Sequence, residues 1–94
     1  MTATDILTAE MSLPRIASCR SLPEFGVEIL WRDGGTDIVD VSPALRSRPV
    51  FAAVLASQDI FRNCAVSEYG DSVEWEDGSE LSAVWIARLA GRLH

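Results

Sequence analysis

The chain has 94 residues, 48% hydrophobic, 23% charged and 7% aromatic, which suffices for one globular domain with a single core and leaves no room for a second. Eight arginines and no lysine stand against fourteen acidic residues, giving a net charge of −6 and a pI of about 4.5. That balance argues against direct nucleic-acid binding, which needs a continuous basic surface; it suits a basic protein partner and, equally, plain solubility.

Residues 1–12 hold one weak apolar stripe, Ile6, Leu7 and Met11 behind Thr4, and read as a frayed helix or flexible arm. Residues 13–94 read as the domain. Asp5 and Glu10 with no base are wrong for a secretory leader, and the longest apolar run, Pro49 to Ala56, falls far short of the roughly 20 residues of a membrane span. The expectation is a soluble cytoplasmic protein. Cys19 and Cys64 have no histidine near them in sequence and show neither metal-ligand nor CxxC spacing, so both read as small buried hydrophobes.

Pro14 to Leu22 reads as a first strand, stopped by Pro23. Phe25, Val27, Ile29 and Trp31 then alternate with Gly26, Glu28, Leu30 and Arg32, the period that puts one apolar row on a buried strand face. Asp33-Gly34-Gly35 supplies a tight hairpin turn, and Thr36 to Val41 returns antiparallel. Ser42-Pro43 has the form of an N-cap followed by proline at the first helical position. Because Arg48 precedes a proline, it predicts a break, then a helix from Pro49 to about Ala56 with Phe51, Val54 and Leu55 inward.

Ser57 to Phe61 forms a turn or half-helix with Phe61 plugging the core. Cys64 and Val66 share one strand face, Tyr69-Gly70-Asp71 turns the chain, and Val73 and Trp75 point inward while Glu74 and Glu76 point out. Asp77-Gly78 repeats the earlier turn. Ser82 caps a last helix over residues 83–93, with Trp85, Ile86, Leu89 and Leu93 on one face and Arg88 and Arg92 complementing its dipole.

Displacing the chain by 44 residues lays Glu24-Phe25-Gly26 on Glu68-Tyr69-Gly70, Ile29 on Val73, and Trp31-Arg32-Asp33-Gly34 on Trp75-Glu76-Asp77-Gly78. Each copy reads as a strand ending in tryptophan, an Asp-Gly turn, a short extended piece and a helix opened by serine. One such unit has an apolar sheet face it cannot bury alone, so two units close a common core.

These residues carry a resemblance. Val27 to Gly34, Val39-Asp40-Val41-Ser42-Pro43, Phe51, Phe61 and Val73 to Leu81, in that order, resemble a small bacterial family, domain-of-unknown-function family 2442. The resemblance covers roughly residues 14–90 and rests on the paired W-x-D-G segments. It implies a small α+β fold with an antiparallel sheet and no established enzymatic activity. It also implies a genomic neighbour, another small protein, in an arrangement like a toxin and antitoxin pair; it supplies no catalytic residues.

The single histidine is the terminal His94, so no Ser/His/Asp or Cys/His nucleophile system assembles, and GxGxxG and GxxxxGK patterns are missing. No cofactor or metal set is expected. Glu68, Asp71, Glu74, Glu76, Asp77 and Glu80 place six carboxylates in thirteen residues without a base among them. Their spacing fails the EF-hand rule. A solvated hairpin face is their plain reading, and docking of a basic partner through Glu74, Glu76, Asp77 and Glu80 the functional one.

Trp31 and Trp75 belong to the core by periodicity. Trp85 stands at the edge of its helix face, where exposure would favour a dimer seam. The expected fold is α+β, an antiparallel sheet of about five strands with two helices on one face. The expected function is a non-enzymatic interaction module, the regulatory or antitoxin-like half of a protein pair. The alternative is a small carboxylate- or metal-dependent enzyme using Asp33 and Asp77; DNA binding by the arginine-bearing first half ranks below both.

Overall fold

The row of Val27, Ile29 and Trp31 does become one buried face of a strand, and the chain folds around it. A computed structural model describes residues 13–92; the reading of residues 1–12 as an arm lies outside them. In chain order the elements are β1 (Ile16–Leu22), β2 (Gly26–Trp31), β3 (Thr36–Asp40), α1 (Ser42–Ser47), α2 (Ala52–Ala56), α3 (Gln58–Arg62), β4 (Ala65–Val66), β5 (Ser72–Glu74), β6 (Glu80–Ser82) and α4 (Ala83–Leu89). Single 3-10 turns occupy Pro23–Phe25 and Pro49–Phe51. Among the described residues no helix is long and apolar enough to cross a membrane.

The fold is α+β, but the expected single sheet of about five strands is two antiparallel sheets of three, β1-β2-β3 and β4-β5-β6. The reason lies at the edge of β1 that faces β4. There the Ile16 N–H donates to the Gly70 carbonyl (2.7 Å), and the Cys19 and Cys64 side chains meet at 3.7 Å. A turn carbonyl takes a donor that a strand ladder would need, and a side-chain contact stands where further pairing would run. Four helices, not two, are present among the described residues, because the Arg48-Pro49 break and the Ser57 cap divide residues 42–62 into three short pieces.

Both halves feed one core. Ile16, Val27, Ile29 and Val39 from the first sheet meet Val73 and Leu81 from the second, with Leu45, Val54 and Ile86 from the helices between them. Aromatic rings form the seam. Phe25 meets Phe61 edge-on at 5.1 Å, Phe61 stacks on Trp75 at 6.1 Å, and Phe51 meets Trp75 edge-on at 6.2 Å. Each such contact contributes about 1 kcal/mol beyond its burial. The Trp75 indole N–H donates to the Phe61 carbonyl at 3.1 Å, so the ring enters the core with its polar atom satisfied.

Three local expectations are corrected. Phe25 is not in the strand; it sits in the 3-10 turn, where Glu24 and Phe25 both have φ of 62°, and this bend drives its ring onto Phe61. Ser42 is already inside α1. The N-cap position is Val41, which has no capping side chain; Asp40 before it accepts from the Ser42 N–H (2.9 Å) and hydroxyl (2.7 Å). Ser82 does cap α4, accepting from the Trp85 N–H, but the helix ends at Leu89 rather than running to 93.

Gly91 is the cause of that ending. At φ +79° it reverses the chain, its N–H bonding to the Arg88 carbonyl and the Arg92 N–H to that of Ala87, the paired bonds of a Schellman turn. The buried stripe of the short helix is Ala83, Ile86 and Ala87; Leu89 lies outside it at 36% exposure. Arg92 consequently stands beyond the helix and serves a purpose other than its dipole.

Candidate functional site

The two Asp-Gly turns are equivalent in detail. Trp31 N–H donates to the Gly35 carbonyl and Gly34 N–H to that of Trp31; Trp75 and Gly78 repeat both bonds with Ser79 and Trp75. Gly34 has φ 98° and Gly78 φ 93°. Asp33 accepts from the Gly35 N–H at 2.9 Å, as Asp77 does from the Ser79 N–H at 3.1 Å. The following strands keep register as well, since Glu28 opposite Ile38 becomes, 44 residues on, Ser72 opposite Ser82.

The equivalence stops at the outer strands. Leu22 pairs with Gly26, whereas Val66 pairs with Val73, three positions further than the repeat requires. Nor are Glu24-Phe25-Gly26 and Glu68-Tyr69-Gly70 alike: the left-handed residues are Glu24 and Phe25 in one, Gly70 in the other.

The Trp31 and Asp33 side chains of the first turn are engaged. The Trp31 indole N–H donates to Asp37 Oδ2 at 2.8 Å, and Arg92 donates from Nε to the same oxygen and from Nη1 to Asp33 Oδ2 at 3.3 Å. The Arg92 guanidinium also lies over the Trp31 ring, 5.0 Å from its centre. The hydrogen bond from Arg92, aided by that from Trp31, holds the Asp37 carboxyl below its ordinary range. Asp77 is likewise lowered, by the hydroxyl and N–H of Ser79. Asp33 and Asp77 are therefore each committed to holding a turn. No group of three or more metal-ligating side chains occurs among the described residues.

The second turn carries the acidic hairpin. Glu74, Glu76, Asp77 and Glu80 are all exposed, and Glu74 stands directly opposite Glu80 in the β5–β6 pair. Like charges facing each other across a sheet are destabilising. Four carboxylates outside the hairpin are ion-paired: Glu28 with Arg20, Asp59 with Arg62, and Asp33 and Asp37 with Arg92. The four acidic groups of the hairpin form no ion pair among the described residues.

Trp85 is half-buried and borders a groove of about 430 Å³ with Arg48, Val84, Arg88 and Leu89. The Arg48 guanidinium covers its ring at 5.3 Å. The edge position expected for Trp85 is what the fold provides, on a surface of positive rather than negative sign.

Sequence spacing missed one pair. Cys19, in β1, and Cys64, just before β4, are half-buried rather than sealed in the core, with their sulfurs 3.7 Å apart. Their separation of 45 positions hid them, and only the β1–β4 adjacency reveals the contact. The chain matches no family model, no curated protein and no solved structure.

Proposed function

We propose that this chain is a non-enzymatic interaction module that docks a basic protein partner on the β5–β6 hairpin, with Glu74, Glu76, Asp77 and Glu80 as the contact groups. The observation that carries this reading is the facing pair Glu74 and Glu80. A strand pair selected for stability alone would set an opposite charge across from Glu74. A cationic partner removes the repulsion on binding and speeds encounter over long range. The resemblance to family 2442 gives the direction of the rest, the regulatory or antitoxin-like half of a small bacterial protein pair, with the cytoplasmic location expected from the sequence.

The engagement of Asp33 and Asp77 in their own turns weighs against the alternative of a carboxylate-dependent enzyme built on them. Self-association is the second reading. It is favoured by the Arg48, Trp85 and Arg88 groove, whose sign complements the hairpin.

The test is purification of the tagged chain from its own host, followed by native mass measurement. The proposal expects a stoichiometric complex with one basic protein, lost on Glu74→Arg/Glu76→Arg while the variant stays folded. A homo-oligomer with nothing attached, broken by Trp85→Ala, would replace it with the second reading.

A further inference from the structure

We propose that Cys19 and Cys64 are a dithiol that converts reversibly to an intramolecular disulfide on meeting a small-molecule disulfide, locking the two sheets together. The inference does not rest on the docking reading; it rests on the contact between β1 and β4. Three observations carry it. The sulfurs are 3.7 Å apart, so a shift of under 2 Å brings them to bonding distance. Both are half-buried, within reach of a small reagent. They belong to different sheets, β1 and the residue preceding β4, which share no strand ladder. A bond here adds a covalent tie to the Ile16–Gly70 backbone hydrogen bond that joins the two halves.

The two thiols are not alike, and the difference sets the order of events. Cys19 donates its S–H toward Cys64, and the N–H groups of Cys64 itself and Ser21 add to this, lowering the Cys64 pKa to about 7. Holding that bond and being half-buried, Cys19 is pushed up and stays a thiol. Cys64 is thus the attacking group, its pKa lying close to ambient pH, the optimum for an attacking thiol.

Its sulfur attacks one sulfur of a disulfide RSSR, forming Cys64–S–S–R and releasing RS⁻. Cys19 then attacks Cys64 Sγ, its proton leaving with the second RS⁻, and the Cys19–Cys64 bond closes. Two protein thiols are oxidised and one RSSR is reduced to two RSH. Excess RSH runs the sequence backwards.

The experiment equilibrates the full chain in glutathione buffers of graded reduced-to-oxidised ratio, traps free thiols by alkylation and reads intact mass. The expected product is monomeric, lighter by about 2 Da than the dithiol and refractory to alkylation at both positions. Its Tm should exceed that of the reduced chain by roughly 10 °C, because a long loop is closed. Cys19→Ser should stall as a glutathione adduct on Cys64, whereas Cys64→Ser should react at least tenfold more slowly. Independent adducts on both cysteines of the unsubstituted chain, or disulfide-linked dimers, would overturn the proposal without recourse to any variant.

Discussion

Arg92 is hydrogen-bonded to Asp37 across 55 positions of sequence, so the turn that ends α4 is fastened to the third strand of the first sheet. The same guanidinium reaches Asp33 and covers Trp31, and a Cβ at Gly35 would strike it. One arginine thereby joins the turn after α4 to the β2–β3 hairpin. Arg92→Ala should cost about 1 kcal/mol in denaturant unfolding, a modest figure because the pair is part-exposed and screened.

The pH dependence of this clamp has a definite sign. Asp37 is depressed in the folded state, chiefly by the hydrogen bond from Arg92. Its stabilisation is therefore fully present above the unfolded carboxylate value of about 3.9 and is lost as pH falls through the lower folded value. A carboxyl titration by NMR should place Asp37 below the ordinary range, and Arg92→Ala should move it upward. An Asp37 midpoint unchanged in that variant would dissociate the two residues.

Gly70 and Gly78 both have positive φ but should respond differently to alanine. At Gly78 an added Cβ meets nothing within 4 Å, leaving only the conformational cost of about 1 kcal/mol. At Gly70 it would lie 2.6 Å from the Ile16 carbonyl oxygen, in backbone that also bonds the two sheets. Gly70→Ala should lose at least about 2 kcal/mol more than Gly78→Ala in thermal or urea unfolding. Equal losses would mean that the Gly70–Ile16 contact yields freely.

Glu24 is a non-glycine residue at φ 62°, exposed, and without an ion pair among the described residues. Glu24→Gly should raise stability by about 1 kcal/mol, since the left-handed strain exceeds the entropy glycine loses. Phe25 shares that φ but is held by Phe61, so Phe25→Gly should destabilise. Opposite signs at adjacent residues are the measurable result.

What could be read in the sequence, and what could not, divides along the range of the interactions. The alternation from Val27 to Trp31, the Asp-Gly turns, the Ser82 cap and the inward Phe51, Val54 and Phe61 are set by neighbours a few residues apart. The 44-residue repeat correctly paired the turns because Trp, Asp and Gly each have a backbone job there. The division into two sheets was not legible, because it depends on which groups occupy the edge of β1, and those come from residues 64 and 70. Reading α4 to residue 93 overlooked Gly91, a local signal that was present. Of the site, the acidic hairpin was visible as charge density; the facing of Glu74 and Glu80 needed the register. The cysteine pair was invisible for want of any proximity in sequence.

The central claim is that the hairpin retains a destabilising charge pair in order to bind. Glu80→Arg tests it most directly, measured twice: unfolding of the free chain, and affinity for the basic protein that purifies with it. The account predicts a free chain more stable by about 0.5 to 1 kcal/mol and a complex weakened at least tenfold. A variant that gains stability yet binds as tightly as the parent would show that Glu80 and its facing partner are ordinary solvated surface, and the docking role would be withdrawn.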